Sequence, residues 1–301
     1  MSRILLLATG GTISCRAGAD GLTPQMRGAQ LLEAIDLPAG VEVEVCDLMR
    51  VDSTDVTGAQ RLDMARALWE RRERYDGFVL THGTDTMAYT AAFLYRVLPH
   101  FDRPVILTGS QLPMGAPQSD APGNLADAIV CAASGYRGVA VCFAGKLLRG
   151  NRVTKSDAWE FDAFSSGNSG AAPDGTVCGG VLTIADMPEA GAPAWVQPTP
   201  VRAAVLLVTP LLDAETVLSC RGRDALLLYG YGVGGVPEAL SDAVAQVAAS
   251  GTRVYLGTQC PAGRADDSVY AVGQRMAALG VRSLGARTRE DAIACLQCGM
   301  L

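Results

Sequence analysis

Two hydrophobic patterns alternate along the chain. Near-continuous apolar runs occur at "RILLLAT" (3–9), "VEVEVCDLM" (41–49), "GFVLTH" (77–82), "PVILTGS" (104–110) and "GVAVCFAG" (138–145). Between them, apolar residues return at helical spacing. "TGAQRLDMARALWERRERY" (57–75) sets Leu62, Ala65, Leu68 and Trp69 on one face with charges elsewhere, and "DTMAYTAAFLYRVL" (85–98) repeats the design. Short strands that are apolar throughout, each separated by a helix, predict a mainly parallel sheet with both faces covered.

The pattern changes between residues 165 and 200. "SSGNSGAAPDGTVCGG" and "PEAGAPAWVQPTP" are rich in Gly, Ser and Pro and read as a linker region. A shorter strand–helix series follows, with strands at 203–210, 224–232 and 253–259 and helices at 238–250 and 268–280. The chain therefore reads as α/β. A larger N-terminal domain (1–175) has a mainly parallel sheet with flanking helices, a linker covers 176–202, and a smaller α/β domain covers 203–301.

Composition narrows the class. Of 301 residues, 49% are hydrophobic, enough for a sizeable core, and the net charge of −6 argues against a nucleic-acid or anionic-membrane surface. "MSRILLLATGG" lacks the flanks of a signal peptide and reads as a buried strand, and no apolar run reaches the length of a membrane span. The nine cysteines, several of them inside apolar strands, fit reduced thiols in a cytoplasmic protein. "CLQC" (295–298) has metal-ligand spacing but no second pair and only two histidines in the whole chain, so it reads as part of a helix.

Two strands end in unusual chemistry. "LLATGGTIS" runs into Gly10 and Gly11 and then presents Thr12 and Ser14. "VLTHGTDT" runs into Gly83 and then Thr84 and Asp85. In an open α/β sheet ligands bind beyond the carboxyl ends of the strands, so the two stretches read as halves of one site. The glycines allow tight turns and close approach of a ligand to the backbone. From spacing alone, Thr12 is a nucleophile or a turn cap, and Asp85 is a helix N-cap or has a ligand role. His82, at a strand end, reads as a hydrogen-bonded structural histidine, and His100 as a surface residue. Lys155, beside a hydroxyl and several acids, reads as a solvated charge or a proton-transfer group.

Together "LLATGGTI" and "GFVLTHGTDTMAYTAAFL" resemble the two signature motifs of the L-asparaginase/glutaminase family. Supporting matches run through "VDSTDVT" (51–57), "PVILTGSQLPMGAPQSDAPGNLADAI" (104–129), "NRVTKSDAWEFDAF" (151–164), "YGVGGVPE" (231–238) and "LGTQCPAG" (256–263). The pattern looks closer to the cytoplasmic branch than to the secreted one. The resemblance implies hydrolysis of L-asparagine to L-aspartate and ammonia without a cofactor or metal, in a cytoplasmic homodimer or homotetramer. By motif, Thr12 matches the nucleophile, and Thr84, Asp85 and Lys155 match a second Thr–Asp–Lys group. Ser53, with Thr54 beside it, matches the contact to the substrate α-carboxylate. Asp85 also matches the acid that holds the α-ammonium. Gly11, Gly83 and the backbone carbonyl of Ser110 match further substrate contacts.

Three places depart from the family pattern, the first being Thr54, which follows Ser53 where the secreted branch often has an "SQ" pair, so that one α-carboxylate contact is altered. The loop after "TGGTI" usually carries a tyrosine near the nucleophile, and here the aligned residue is Leu22. A leucine cannot polarise a hydroxyl. The departure keeps other readings in play: hydrolysis of another small amide, such as glutamine or a D-amino-acid amide, or a weak asparaginase-like binding protein. The cytoplasmic branch can also carry a separate regulatory asparagine site. Thr154 and Cys260 match two of its residues, while Tyr229 and Gly230 stand where its arginine is expected.

Overall fold

The structure, a computed structural model, describes residues 1–18, 21–269 and 271–301. By contacts the chain divides into one unit of residues 1–166 and 172–197 and a second of residues 167–171 and 198–301.

In the first unit the elements follow in the order β1 (Ser2–Gly10), β2 (Cys15–Gly18), β3 (Gly21–Pro24), α1 (Gly28–Leu32), β4 (Val41–Val51), α2 (Gly58–Arg71), β5 (Gly77–Thr81), α3 (Thr84–Val97), β6 (Pro104–Thr108), α4 (Ala121–Ala132), β7 (Gly138–Phe143) and β8 (Lys146–Arg149). They continue through β9 (Thr154–Lys155), β10 (Phe164–Ser165), β11 (Gly175–Cys178) and β12 (Val181–Ile184).

The main sheet has the order β12-β11-β8-β7-β6-β5-β1-β4. Strands β4, β1, β5, β6 and β7 are parallel, as the apolar runs predict. Strands β8, β11 and β12 extend the sheet antiparallel. Every residue of β5, β6 and β7 is buried, which is why these runs show no polar alternation.

Helix α2 starts at the capping box of Thr57 and Gln60, and it buries Met64, Ala65, Ala67 and Leu68. The predicted face is thus shifted slightly: Ala65 and Leu68 are buried, while Leu62 and Trp69 are half-buried. Trp69 packs near the rings of Phe101 and Trp195.

The strand order places the site. From β1 the chain moves out to β4 on one side, then returns across β1 to β5 and continues to β6 and β7 on the other. The direction of winding therefore reverses between β1 and β5, where helices leave for opposite faces and open a crevice at the carboxyl ends. The "TGGT" and "THGTDT" stretches follow these two strands.

The second unit holds β13 (Ala203–Leu207), α5 (Ala214–Leu218), β14 (Ala225–Gly230), α6 (Ser241–Ala249), β15 (Arg253–Thr258), α7 (Ala271–Ala278), β16 (Arg282–Ser283) and α8 (Arg289–Gln297). Its strands are parallel in the order β13-β14-β15-β16. Alternate residues of β14 feed two cores. Leu226 and Leu228 pack with Val244 and Val247, while Ala225, Leu227 and Tyr229 pack with Ala292 and Leu296.

All nine cysteines are free. Cys15, Cys131, Cys142, Cys220 and Cys295 are buried, and Cys178 and Cys260 are exposed. Among the described residues no helix is long and apolar enough to cross a membrane. Among them, too, no group of three or more His, Cys, Asp or Glu residues is placed to hold a metal ion.

Candidate active site

The two glycine turns meet backbone to backbone. Gly10 and Gly11 have φ of 109° and 80°, values that side chains rarely adopt. A Cβ on Gly11 would lie 2.2 Å from Gly83 N, and one on Gly83 would lie 2.6 Å from Ser53 Oγ and 3.2 Å from Gly11 Cα. The positive φ values are those of the tight turns read from the sequence. The space that a Gly11 side chain would take is filled by the Gly83 backbone. The consequence is that Thr12 and Thr84, each next to one of these touching glycines, are neighbours on the rim.

Thr12 opens a short 3-10 turn over Thr12–Ser14. Ile13 in that turn is fully buried, and its carbonyl accepts Met114 N–H at 3.2 Å. The Ser14 carbonyl accepts the Gln25 and Met26 amides at 2.8 and 2.9 Å. These anchors hold the turn while Thr12 stays half-buried, and no hydrogen bond among the described residues uses its hydroxyl.

Strands β2 and β3 form an antiparallel hairpin that pairs Ala17 with Leu22 and Gly18 with Gly21. Leu22 thus lies on a hairpin strand, 54% exposed.

Helix α3 begins with Gly83 as N-cap and no side-chain cap. Asp85 is in its first turn, where a carboxylate is favoured by the unpaired N–H groups, and so it is not the N-cap. Lys155 Nζ donates to Thr84 Oγ1 at 2.8 Å and to Asp85 Oδ1 at 2.7 Å. Lys155 reaches them from the two-stranded β9–β10 ladder, where it pairs with Phe164. Thr84 is buried, while the Asp85 side chain is 58% exposed. A half-solvated ion pair contributes little to stability, so this carboxylate stays available to a second cation.

Ser53 is buried against Gly83, and its carbonyl accepts the Thr86 hydroxyl at 2.6 Å. Thr54 is not brought into this cluster by its side chain. It is exposed, and its hydroxyl donates to Asp52 Oδ1 at 2.8 Å within a capping turn. The Ser110 side chain is fully buried and its hydroxyl donates to the Leu112 carbonyl.

His82 is buried, with one ring nitrogen 2.8 Å from the Gly83 carbonyl and the other 3.0 Å from Thr90 Oγ1. Burial lowers its pKa to about 4, so it is neutral near pH 7. This is the structural role read from its place at a strand end. His100 is exposed.

Three contributors were not read from the sequence. Gln111, inside "TGSQLP", accepts the Thr84 hydroxyl through Oε1 at 3.3 Å, and its Nε2 donates to the carbonyls of Ala158 and Glu160 at 3.2 and 3.1 Å. The Asp120 carboxylate accepts the Gln111 and Leu112 amides and Asn124 Nδ2, all within 3.1 Å. Asn124 Nδ2 also donates to the Gly109 carbonyl. The i, i+4 spacing of Asp120 and Asn124 at a helix start was the available signal.

Residues 3–185 match the family described as "Asparaginase, N-terminal", and residues 202–300 match "Glutaminase/Asparaginase C-terminal domain". The chain is 34% identical to the L-asparaginase of Thermococcus kodakarensis over 297 residues, covering 96% of this chain and 89% of that protein. It is 34% identical to L-asparaginase 1 of Escherichia coli, over 92% of this chain and 86% of that one. The solved structure of the thermostable L-asparaginase from Thermococcus kodakarensis superposes with a TM-score of 0.92, at 32% identity, over 99% of this chain and 92% of that chain.

Proposed function

The chain belongs to the asparaginase family, and from that premise we propose that it hydrolyses L-asparagine to L-aspartate and ammonia through an ester on Thr12. One observation carries the reading at the level of residues: Lys155 Nζ bridges the Thr84 hydroxyl and the Asp85 carboxylate, at the rim where the Gly11 and Gly83 turns touch.

The chemistry runs as acyl transfer. Asp85 pairs with the substrate α-ammonium through its exposed carboxylate. Ser53 and the neighbouring backbone meet the α-carboxylate. Thr12 Oγ1 attacks the side-chain amide carbon, and its proton moves to a base. Thr84 suits the relay. At rest its proton goes to Gln111 and one lone pair takes Lys155. In the attack it accepts the Thr12 proton as its own turns to Lys155, and Lys155 hands one to the Asp85 carboxylate, the basic group at the end of the line. The C–N bond then breaks as the leaving nitrogen is protonated, and ammonia departs. Water attacks the ester carbonyl by the reverse route, which frees Thr12 and aspartate. Backbone N–H groups at the start of α3 and beside Thr12 stabilise the oxyanion, and loss of one such donor typically costs roughly 10²–10³ in rate.

A second reading has an observation in its favour. Leu22 stands exposed on the hairpin where the family pattern places a tyrosine, and a changed activating group fits a changed amide. Ammonia release from asparagine, glutamine and D-amino-acid amides separates the two. Asparagine as the best substrate supports the first reading, and preference for another amide supports the second. Release from none of them makes the protein an asparaginase-like binder. The resemblance to the cytoplasmic branch supports a cytoplasmic homodimer or homotetramer, and sedimentation at micromolar concentration tests the assembly.

A further inference from the structure

A line of hydrogen bonds, its last two buried, runs from helix α2 to the glycine before Thr84. Arg61 Nε donates to Thr90 Oγ1 at 3.1 Å. Thr90, fully buried on α3, has its oxygen 3.0 Å from His82 Nε2. His82 Nδ1 lies 2.8 Å from the Gly83 carbonyl oxygen.

The direction of each bond follows from chemistry. A guanidinium has no acceptor, and a carbonyl has no proton to give. Thr90 therefore accepts from Arg61 and donates to His82 Nε2, and His82 carries its proton on Nδ1 and donates to Gly83. The neutral ring satisfies every partner, whereas with the proton on Nε2 the bare Nδ1 would face the Gly83 carbonyl oxygen, lone pair against lone pair.

The main chain that carries the ring is itself held. The His82 amide donates to the Thr108 carbonyl at 2.8 Å, and the His82 carbonyl sits where a Cβ on Gly109 would be 2.3 Å away. Among the described residues no peptide is cis. In a trans peptide the N–H lies opposite the C=O. With the Gly83 carbonyl drawn to the ring, the Thr84 N–H is turned away from the ring. That N–H is the first of α3 and has no partner within the helix. The same peptide sets where Thr84 and Asp85 begin.

We infer that His82 is a positioning residue, which fixes the Gly83–Thr84 peptide through the Arg61–Thr90–His82 line and so orients the Thr84 N–H and hydroxyl for the transition state. This rests on the amide-hydrolase reading above.

The test has two arms. With only two histidines in the chain, His100→Gln leaves a single ring, and nitrogen-15 spectra of labelled histidine then report His82 alone. The proton is expected on Nδ1 with a neutral ring at pH 6. A proton on Nε2, or a charged ring at that pH, overturns the inference.

The second arm compares His82→Asn and His82→Gln by asparagine turnover, aspartate affinity and unfolding midpoint. An asparagine amide nitrogen stands near the place of Nδ1, and that of glutamine near the place of Nε2. His82→Gln should lose about 10²-fold in kcat with little change in KM, the scale of a misplaced catalytic group. His82→Asn should recover most of that loss even if its unfolding midpoint is as low. Equal losses in both variants that track stability would show a purely structural histidine. If the wild type turns over no amide, the function reading fails, and the spectrum still decides the bonding.

Discussion

Thr84 has its oxygen fully defined by neighbours on two sides. It accepts Lys155 and donates to Gln111, whose amide cannot flip because Nε2 faces two carbonyls. Thr84 therefore presents an acceptor to the site, and it takes a proton from the nucleophile or from water only as its own passes along the bonded line to Lys155 and Asp85. Replacing Lys155 by Met or Thr84 by Val should lower kcat and kcat/KM together, as for groups acting in the transition state. A rise in KM alone, seen in steady-state ammonia release, would move both residues into ground-state binding. Leu22 belongs to the same scale. A tyrosine hydroxyl that orients or shuttles a proton is worth roughly 10²–10⁴ in rate, the range of general acid–base assistance. Leu22→Tyr should raise asparagine turnover toward that range. No gain across the pH profile would show that another group already fills the role.

At the scale of elements, the site is a contact between two strand-to-turn junctions. Gly11 at φ 80° lies with its open side against Gly83 N. Gly11→Ala places a methyl group there and puts an alanine in a disfavoured backbone region, which alone costs roughly 1–3 kcal/mol. Urea unfolding should show at least that loss, and an unchanged midpoint would mean that the turns do not abut as described. The sequence made much of this legible. Apolar runs marked β1, β5, β6 and β7, because strands buried on both faces have no polar positions to blur them. The motifs put Thr84, Asp85 and Lys155 together, and the structure bonds all three. Strands β8, β11 and β12 were not legible, since four-residue pairs among Gly and Pro have no period to read. Gln111 was hidden for another reason. Its role depends on a side-chain amide reaching residues 27 and some 47 positions away, and no local pattern encodes that. Thr54 has a local partner that its motif does not announce. Its place in the motif suggested a ligand contact, but local bonding to Asp52 holds its hydroxyl.

For the whole molecule, the buried His82 couples the site to stability. Burial holds its folded pKa at about 4, below the usual 6.5. As pH falls through that window the unfolded chain takes up the proton first, so stability is full above about pH 6.5 and is lost toward pH 4. The ceiling on this loss is about 3 kcal/mol, from the size of the shift. Unfolding free energy should therefore fall more steeply between pH 6.5 and 4 in the wild type than in His82→Asn. Parallel curves would mean that the ring is not held neutral. The same line of bonds lies under the crevice where the winding of the sheet reverses, so acid weakens the molecule where the proposed chemistry takes place.

The most direct measurement is ammonia and aspartate release from L-asparagine by the wild type and by Thr12→Val, with unfolding midpoints measured alongside. Valine keeps the shape of threonine without the hydroxyl, and no hydrogen bond among the described residues depends on that hydroxyl. The account predicts equal release of the two products by the wild type, and a turnover lower by on the order of 10³–10⁶ in a variant that unfolds at the same point. Turnover in Thr12→Val above about a tenth of wild type, a loss too small for a nucleophile, would contradict it.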